Sequence, residues 1–173
     1  MIFTTPNIKY KDTYIKAVEE LKQEGIERYQ KTDIEDLKNN FEKYLKDWGN
    51  QEKGIGLAPG RVPDTKYWLI ENGKFVGVAY FRHFLNDHLL KIGGHIGYFV
   101  APEERKKGYG TKLLEYSLVK AKEKGLDKVL VTCDDTNIGS RKIIEKCGGK
   151  LENIVPGEKP SDPPKCRFWI SLK

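Results

Sequence analysis

The sequence predicts a mixed α/β domain, and three features predict it. Amphipathic helical stretches come first, a tight hairpin signal follows, and a strand–helix–strand–helix succession fills the second half. The 173 residues suffice for one domain with a proper core and are too few for two comfortable ones. Hydrophobic residues at 38% supply enough apolar surface to offset chain entropy, which excludes a disordered protein.

Taken in order, Met1–Thr5 reads as a strand that Pro6 breaks. Lys11–Glu24 places Tyr14, Val18 and Leu21 at helical spacing between charges. Asp33 is the expected cap of a second helix, Ile34–Trp48, whose Ile34, Leu37, Phe41, Tyr44, Leu45 and Trp48 form one stripe. Gly49–Asp64, rich in Gly and Pro, reads as a loop. Asn72-Gly73 between the apolar runs Tyr67–Ile70 and Phe75–Phe81 is a hairpin signal, because both turn residues must accept positive φ. Gly94–Val100 is a further strand, reached through the polar stretch Arg82–Gly93. Thr111–Lys124 is an amphipathic helix with Leu113, Leu114, Leu118 and Ala121 inward and Gly125 as its stop. Lys128–Cys133 is a near-continuous apolar run, as expected of a strand covered on both faces. A helix carrying Ile143, Ile144 and Cys147 ends at Gly148-Gly149, and strands around Lys150–Val155 and Arg167–Leu172 close the chain.

Function classes narrow on composition. No apolar stretch approaches the ~20 residues needed to span a bilayer, and the amino terminus lacks the basic-then-apolar order of a secretory signal. Cys133, Cys147 and Cys166 are odd in number with no CxxC pair or metal spacing, which favours reduced thiols over disulfides. The expectation is a cytoplasmic protein with neither a membrane nor a metal. The formal charge of +6 suits nucleic acid or an anionic small ligand. The lysines are interspersed with glutamates and no aromatic-interleaved basic stripe exists, so nucleic acid is not the expected partner.

The informative segment is Val100-Ala101-Pro102-Glu103-Glu104-Arg105-Lys106-Lys107-Gly108-Tyr109-Gly110. Glycines at the mouth of a helix let the backbone approach a ligand, and first-turn amides have no internal partner. With the helix dipole and three neighbouring cations they suit a pyrophosphate. A Walker loop is excluded, since Gly110-Thr111-Lys112 has the wrong order. A dinucleotide fingerprint keeps Asp134 at about the expected distance, yet Leu113 stands where its third glycine belongs. An ordinary strand–helix turn with a solvated basic patch stays open on spacing alone.

This segment resembles the coenzyme A signature of the GNAT superfamily of N-acetyltransferases. A strand ends in Val100, proline follows two residues on, and Arg-x-x-Gly-x-Gly opens a long helix. Asp134-Asp135-Thr136-Asn137-Ile138-Gly139-Ser140 resembles the family's Asn-x-x-Ser/Ala element, and Glu145-Lys146-Cys147-Gly148-Gly149 its Glu-Lys-x-Gly-Phe ending. The likeness runs from about Tyr67 to Leu151. Arg82–Asn86 with Gly93–Tyr98 is similar to a bacterial subgroup of predicted acetyltransferases. The resemblance implies a central mixed, mostly antiparallel sheet of six to seven strands with helices on both faces. It implies one domain over 1–173, with a helical acceptor side at 11–64 and an acetyl-CoA core at 67–151. A homodimer is compatible with it.

By position, the resemblance implies that backbone groups of Phe99, Val100 and Ala101 hold the pantetheine arm. The amides of Arg105, Lys106, Lys107, Gly108, Tyr109 and Gly110 would hold the pyrophosphate, and Asn137 the pantetheine near the thioester. It also implies a splayed strand opening a slot between Gly94–Val100 and Lys128–Cys133. Transfer to a primary amine of a small molecule or peptide requires a neutral nucleophile, so a base must take the ammonium's proton. His95 stands where relatives place a glutamate and is the candidate general base, with His83 second. The Phe99 backbone amide is the expected oxyanion donor. Ile144 stands where relatives often carry an acidic tyrosine, which leaves water or Tyr98 to protonate the thiolate and motivates an alternative, a non-catalytic CoA-binding or regulatory module. Cys133 as an acyl carrier is the weaker route, because strand-borne cysteines are usually small buried hydrophobes. Glu19, Glu20, Glu24 and Asp33 are placed to meet a cationic amine, or else are ordinary exposed helix acids.

Overall fold

The computed structural model describes residues 1–173. Seven strands form one sheet: β1 (Ile2–Thr4), β2 (Asp64–Glu71), β3 (Lys74–Arg82), β4 (Ile96–Val100), β5 (Lys128–Asp134), β6 (Lys150–Val155) and β7 (Lys165–Ser171). Their spatial order is β1-β2-β3-β4-β5-β7-β6, and every neighbour pair is antiparallel except β4 with β5. The hairpin forms where Asn72-Gly73 predicts it, with φ of 49° and 75° at the two turn residues.

Alternation along the strands divides the core into two layers. Trp68, Val78 and Tyr80 point to one face, where α1 (Lys11–Gln23), α2 (Glu27–Gln30), α3 (Ile34–Asn39) and α4 (Phe41–Glu52) cover them. Leu69, Ala79 and Phe81 point to the other, under α5 (Tyr109–Glu123) and α6 (Ile138–Lys146). Phe99 of β4 packs on the first layer, Tyr98 and Val100 on the second. The strand that the motif analysis singles out therefore contributes to both layers.

The predicted helix 34–48 is two helices. Asp33 caps the first, its carboxylate accepting from the Asp36 amide at 3.0 Å. Asn40 then leaves helical geometry at φ −118°, and its side chain donates to Asp36 Oδ1 at 2.7 Å. Leu37 and Phe41 stay buried across the break, so the apolar stripe hides it. Gly49 does not stop α4, which runs on to Glu52. The short α2 and a π-turn at Leu89–Gly93 carry no periodic signal and are additions to the predicted elements.

The helix layer rests on an aromatic cluster. Tyr14 stacks on Trp68 with centroids 4.4 Å apart, and Phe75 meets both edge-on. Trp68 is fully buried. Trp68→Ala is expected to lower unfolding stability by about 3–5 kcal/mol, read from urea denaturation midpoints.

Candidate active site

The site begins where two strands part. β4 and β5 share a single register pair, Ile96 with Val131, and beyond it they diverge. Gly94 pins the origin: at φ +64° its Cα lies so close to β5 that an added Cβ would stand 2.6 Å from the Leu130 carbonyl. The His95 amide donates to that same carbonyl at 2.7 Å.

Antiparallel pairing decides which β4 groups face the gap, because bonded and non-bonded pairs alternate. The Arg82 amide donates to His95 O at 2.8 Å and the Ala101 amide to Val76 O at 3.0 Å. With the register Gly97–Tyr80 and Phe99–Val78, the odd-numbered residues 97, 99 and 101 turn their main-chain groups toward β3, as does the carbonyl of His95. The main-chain groups of Tyr98 and Val100 therefore point the other way, into the opening. This corrects the expectation for Phe99: its amide belongs to the β3 ladder, as does that of Ala101, and the free amides on this strand are those of Tyr98 and Val100.

The second component is the loop into α5. Lys106 has φ +62° and Gly108 φ +85°, left-handed turns of the kind that gather successive amides into an anion-binding concavity. The amides of Lys106, Lys107 and Gly108 donate to no backbone carbonyl, and the first amides of α5 have no intrahelical acceptor. Gly110 has a different task. A Cβ there would stand 2.8 Å from Ile143 Cδ1, so its hydrogen lets α5 pack against α6 and β4.

Strand, loop and the start of α6 enclose one cavity of about 850 Å³. It is lined by Phe99, Val100, Arg105, Lys106, Gly108, Tyr109, Gly110 and Asn137 among the expected residues. Ala101 and Lys107 lie outside it: Ala101 is buried beneath, and Lys107 Nζ pairs with Glu104 at 2.9 Å. Asn137 caps α6, its Oδ1 accepting from the Ser140 amide at 3.0 Å, which leaves its Nδ2 donors available. Glu24, Ile26, Tyr98, Ser140 and Ile143 complete much of the wall. Of these, Ile26 gives no sequence signal, since it belongs to a turn distant in the chain. Arg105 is held by Glu24 through two bonds of 2.9 and 2.6 Å.

Tyr98 stands out chemically. Its hydroxyl is buried and lies near Ser140 without a hydrogen-bond partner, and burial pushes the phenol up to about 12. It is a protonated, unengaged donor in the cavity wall.

His95 is placed elsewhere. It is only 7% exposed, absent from the cavity lining, and its Nδ1 accepts from the Leu130 amide at 2.9 Å. Accepting at Nδ1 puts the proton of the neutral ring on Nε2, so no lone pair remains for a substrate's proton. Burial, with help from the Arg82 charge, lowers its pKa to about 4. The geometry thus corrects the general-base expectation and makes His95 a clasp between strands. His83 lies in a chain with Thr65 (2.8 Å) and Glu52, also away from the cavity. Cys133 is buried and its thiol is pushed up to about 11 by desolvation, so it offers little thiolate.

Residues 15–149 match the sequence profile of the acetyltransferase (GNAT) family. The chain belongs to the GNAT acetyltransferase family. No curated protein sequence matches it. Solved structures share the GNAT fold over nearly the whole chain. The microcin C7 self-immunity acetyltransferase MccE, solved with acetyl-CoA and AMP, has a TM-score of 0.70 at 18% identity, covering 98% of this chain and 91% of that one. The yncA protein of Salmonella typhimurium, solved with acetyl-CoA, has a TM-score of 0.66 at 16% identity, with coverage of 99% and 94%. An N-acetyltransferase of Staphylococcus aureus Mu50 has a TM-score of 0.64 at 19% identity, with coverage of 99% and 98%. The dinucleotide reading falls with this fold, whose sheet is mostly antiparallel, and Asp134 pairs with Lys165. No helix of this GNAT chain is long and apolar enough to cross a membrane.

The His95 clasp makes a pH prediction. A histidine held near pKa 4 in the folded state and near 6.5 unfolded takes up its proton preferentially in the unfolded chain. Its contribution is complete above pH 6.5 and is lost as pH falls toward 4, a change of up to about 3 kcal/mol. His95→Asn keeps an acceptor for Leu130 and does not titrate. Thermal melts of this variant between pH 7 and 4 are expected to show a flatter stability profile than the parent.

Proposed function

We propose that this GNAT chain transfers an acetyl group from acetyl-CoA to a primary amine by direct attack. One observation carries the reading. The unpaired amides of Tyr98 and Val100, the amide-lined turn at Lys106–Gly108 and the Asn137 cap converge on a single cavity. An extended arm bearing a pyrophosphate fits that combination: main-chain groups continue the sheet for the arm, and free amides with Arg105 and Lys106 receive the phosphates.

The chemistry needs little more. Acetyl-CoA, when bound, supplies an activated carbonyl. The neutral amine nitrogen attacks that carbon, the carbonyl oxygen gains negative charge, and an amide pointing into the gap from Tyr98 or Val100 stabilises it. The C–S bond then breaks and the sulfur leaves as thiolate. The Tyr98 hydroxyl supplies its proton, the role left open by Ile144, and the proton that the acylated nitrogen sheds as the amide forms restores the hydroxyl through water. The acceptor ammonium loses its proton to water entering the cleft, since Glu24 and Glu104 are engaged in ion pairs and His95 has no free nitrogen.

Incubation with acetyl-CoA and a broad amine panel is expected to release CoA in step with N-acetylated product. Binding of CoA without turnover on any amine would replace this reading with that of a non-catalytic CoA-binding module. Tyr98→Phe is expected to lower kcat by roughly 100-fold while KM for acetyl-CoA changes little. An unchanged kcat would return the proton transfer to water.

A further inference from the structure

A second cavity lies on the helix-covered face. It encloses about 160 Å³ and is lined by Arg28, Arg61, Asp64 and Arg82 with His88 and Leu89 at its edge. These residues come from α2, the loop before β2, and the ends of β2 and β3, and the fold alone brings them together. We propose that this cavity recognises the acceptor, and that it takes a carboxylate or phosphate carried by the same molecule as the reacting amine. The inference rests on the transfer reading and specifies its substrate class.

Three observations carry it. Asp64 is only 7% exposed, yet its Oδ1 has no hydrogen-bond partner and no ion pair joins it to any of the three arginines. A buried, unsatisfied carboxylate oxygen in a cavity wall awaits a donor that the protein does not supply. The arginines are also held in ways that leave donors free. Arg28 stacks over the Tyr80 ring at 3.6 Å, a contact made with the face of its guanidinium. Arg82 spends Nη1 on the carbonyls of Gly93 and Gly94, at 2.8 and 2.9 Å, and its Nη2 makes no bond. Three guanidinium groups against one carboxylate leave the cavity positive, and burial with the nearby Arg28 charge pulls the Lys66 ammonium well below its usual range.

The third observation is continuity with the coenzyme cleft. Tyr80, under Arg28, pairs with Gly97 of β4, and a Cβ at Gly97 would meet nothing within 4 Å. That open space adjoins Phe99, which lines the cleft and meets Tyr80 and Tyr29 edge-on. The Arg82–His95 row lies three residues from Tyr98, on the order of 10 Å along the strand. A molecule anchored by its anion among the arginines reaches past Gly97 with its amine.

The four helix acids that the sequence offers to a cationic amine are already engaged. Glu19 pairs with Lys38, Glu20 with Lys16, Glu24 with Arg105, and Asp33 caps α3. The acids expected to greet a cationic amine are all occupied. Asp64 sits among arginines and suits a hydroxyl or amide N–H of the acceptor.

Calorimetry on the CoA-loaded protein tests this without turnover. O-Phosphoethanolamine and β-alanine are titrated beside ethanolamine and 1,3-diaminopropane. One or both anionic probes are expected to bind at least tenfold more tightly than either control, and which of them does so identifies phosphate or carboxylate. In Arg61→Gln, at an exposed loop position, and in Arg28→Gln, the preference is expected to fall at least fivefold while CoA affinity holds. Absence of binding by both anionic probes, an equal or tighter diamine, or a preference that survives both substitutions overturns the proposal. Inorganic phosphate matching O-phosphoethanolamine, with no acetylation of any anionic amine by an enzyme active on neutral ones, overturns it too. Failure of CoA itself to bind refutes the transfer reading instead, and the anion titrations on unloaded protein then still decide the site.

Discussion

The whole site depends on a sheet that stops pairing. β4 and β5 meet at Ile96 and Val131 and then separate, leaving the Tyr98 and Val100 main-chain groups without a strand to bond. Backbone donors kept from both protein and water cost free energy, so such a gap persists only where solvent or a ligand fills it. The parting is held in place at its origin. Gly94 allows the backbones to touch, the His95 amide ties to Leu130 O, and the His95 ring accepts the Leu130 amide. A side chain thus adds a rung just ahead of the Ile96–Val131 pair. Beyond it, α5 and α6 keep the mouth wide by packing on each other through Gly110 and Ile143.

Much of this was legible in the residues. The hairpin, the glycine-rich helix mouth, the order of strands and helices and the Asn137 turn are local signals, set by φ preferences and apolar spacing within a few positions. The turn with unbonded amides at Lys106–Gly108 was legible for the same reason. What escaped was direction. A strand alternates with period two, so attributing the free amides to Phe99 rather than its neighbours is a one-residue error that reverses every hydrogen bond. Only the partner strand's register reveals the parity. His95 escaped similarly, because motif position places an imidazole on the right strand without saying which backbone it clasps.

Long-range assembly hid the remainder. Arg28, Arg61 and Arg82 are unremarkable in a chain carrying 31 Lys and Arg residues, and nothing in their spacing unites them. The fold does so by seating α2 over β3 and leading the loop before β2 across its end. The helix break at Asn40 was hidden because the apolar stripe continues through it. In each case the missing information is a contact between distant segments. In the proposed reading the same assembly divides the labour across β4, with the α5 layer and the open edge facing the coenzyme and the helix-covered face the acceptor.

The most direct test is hydrogen exchange of individual β4 amides followed by NMR, with and without CoA. The account predicts that Tyr98 and Val100 exchange fast in the free protein while Phe99 and Ala101 exchange slowly, and that CoA slows the first pair by at least tenfold. Uniform protection along β4 before ligand is added, or no change at Tyr98 and Val100 at saturating CoA, would contradict it.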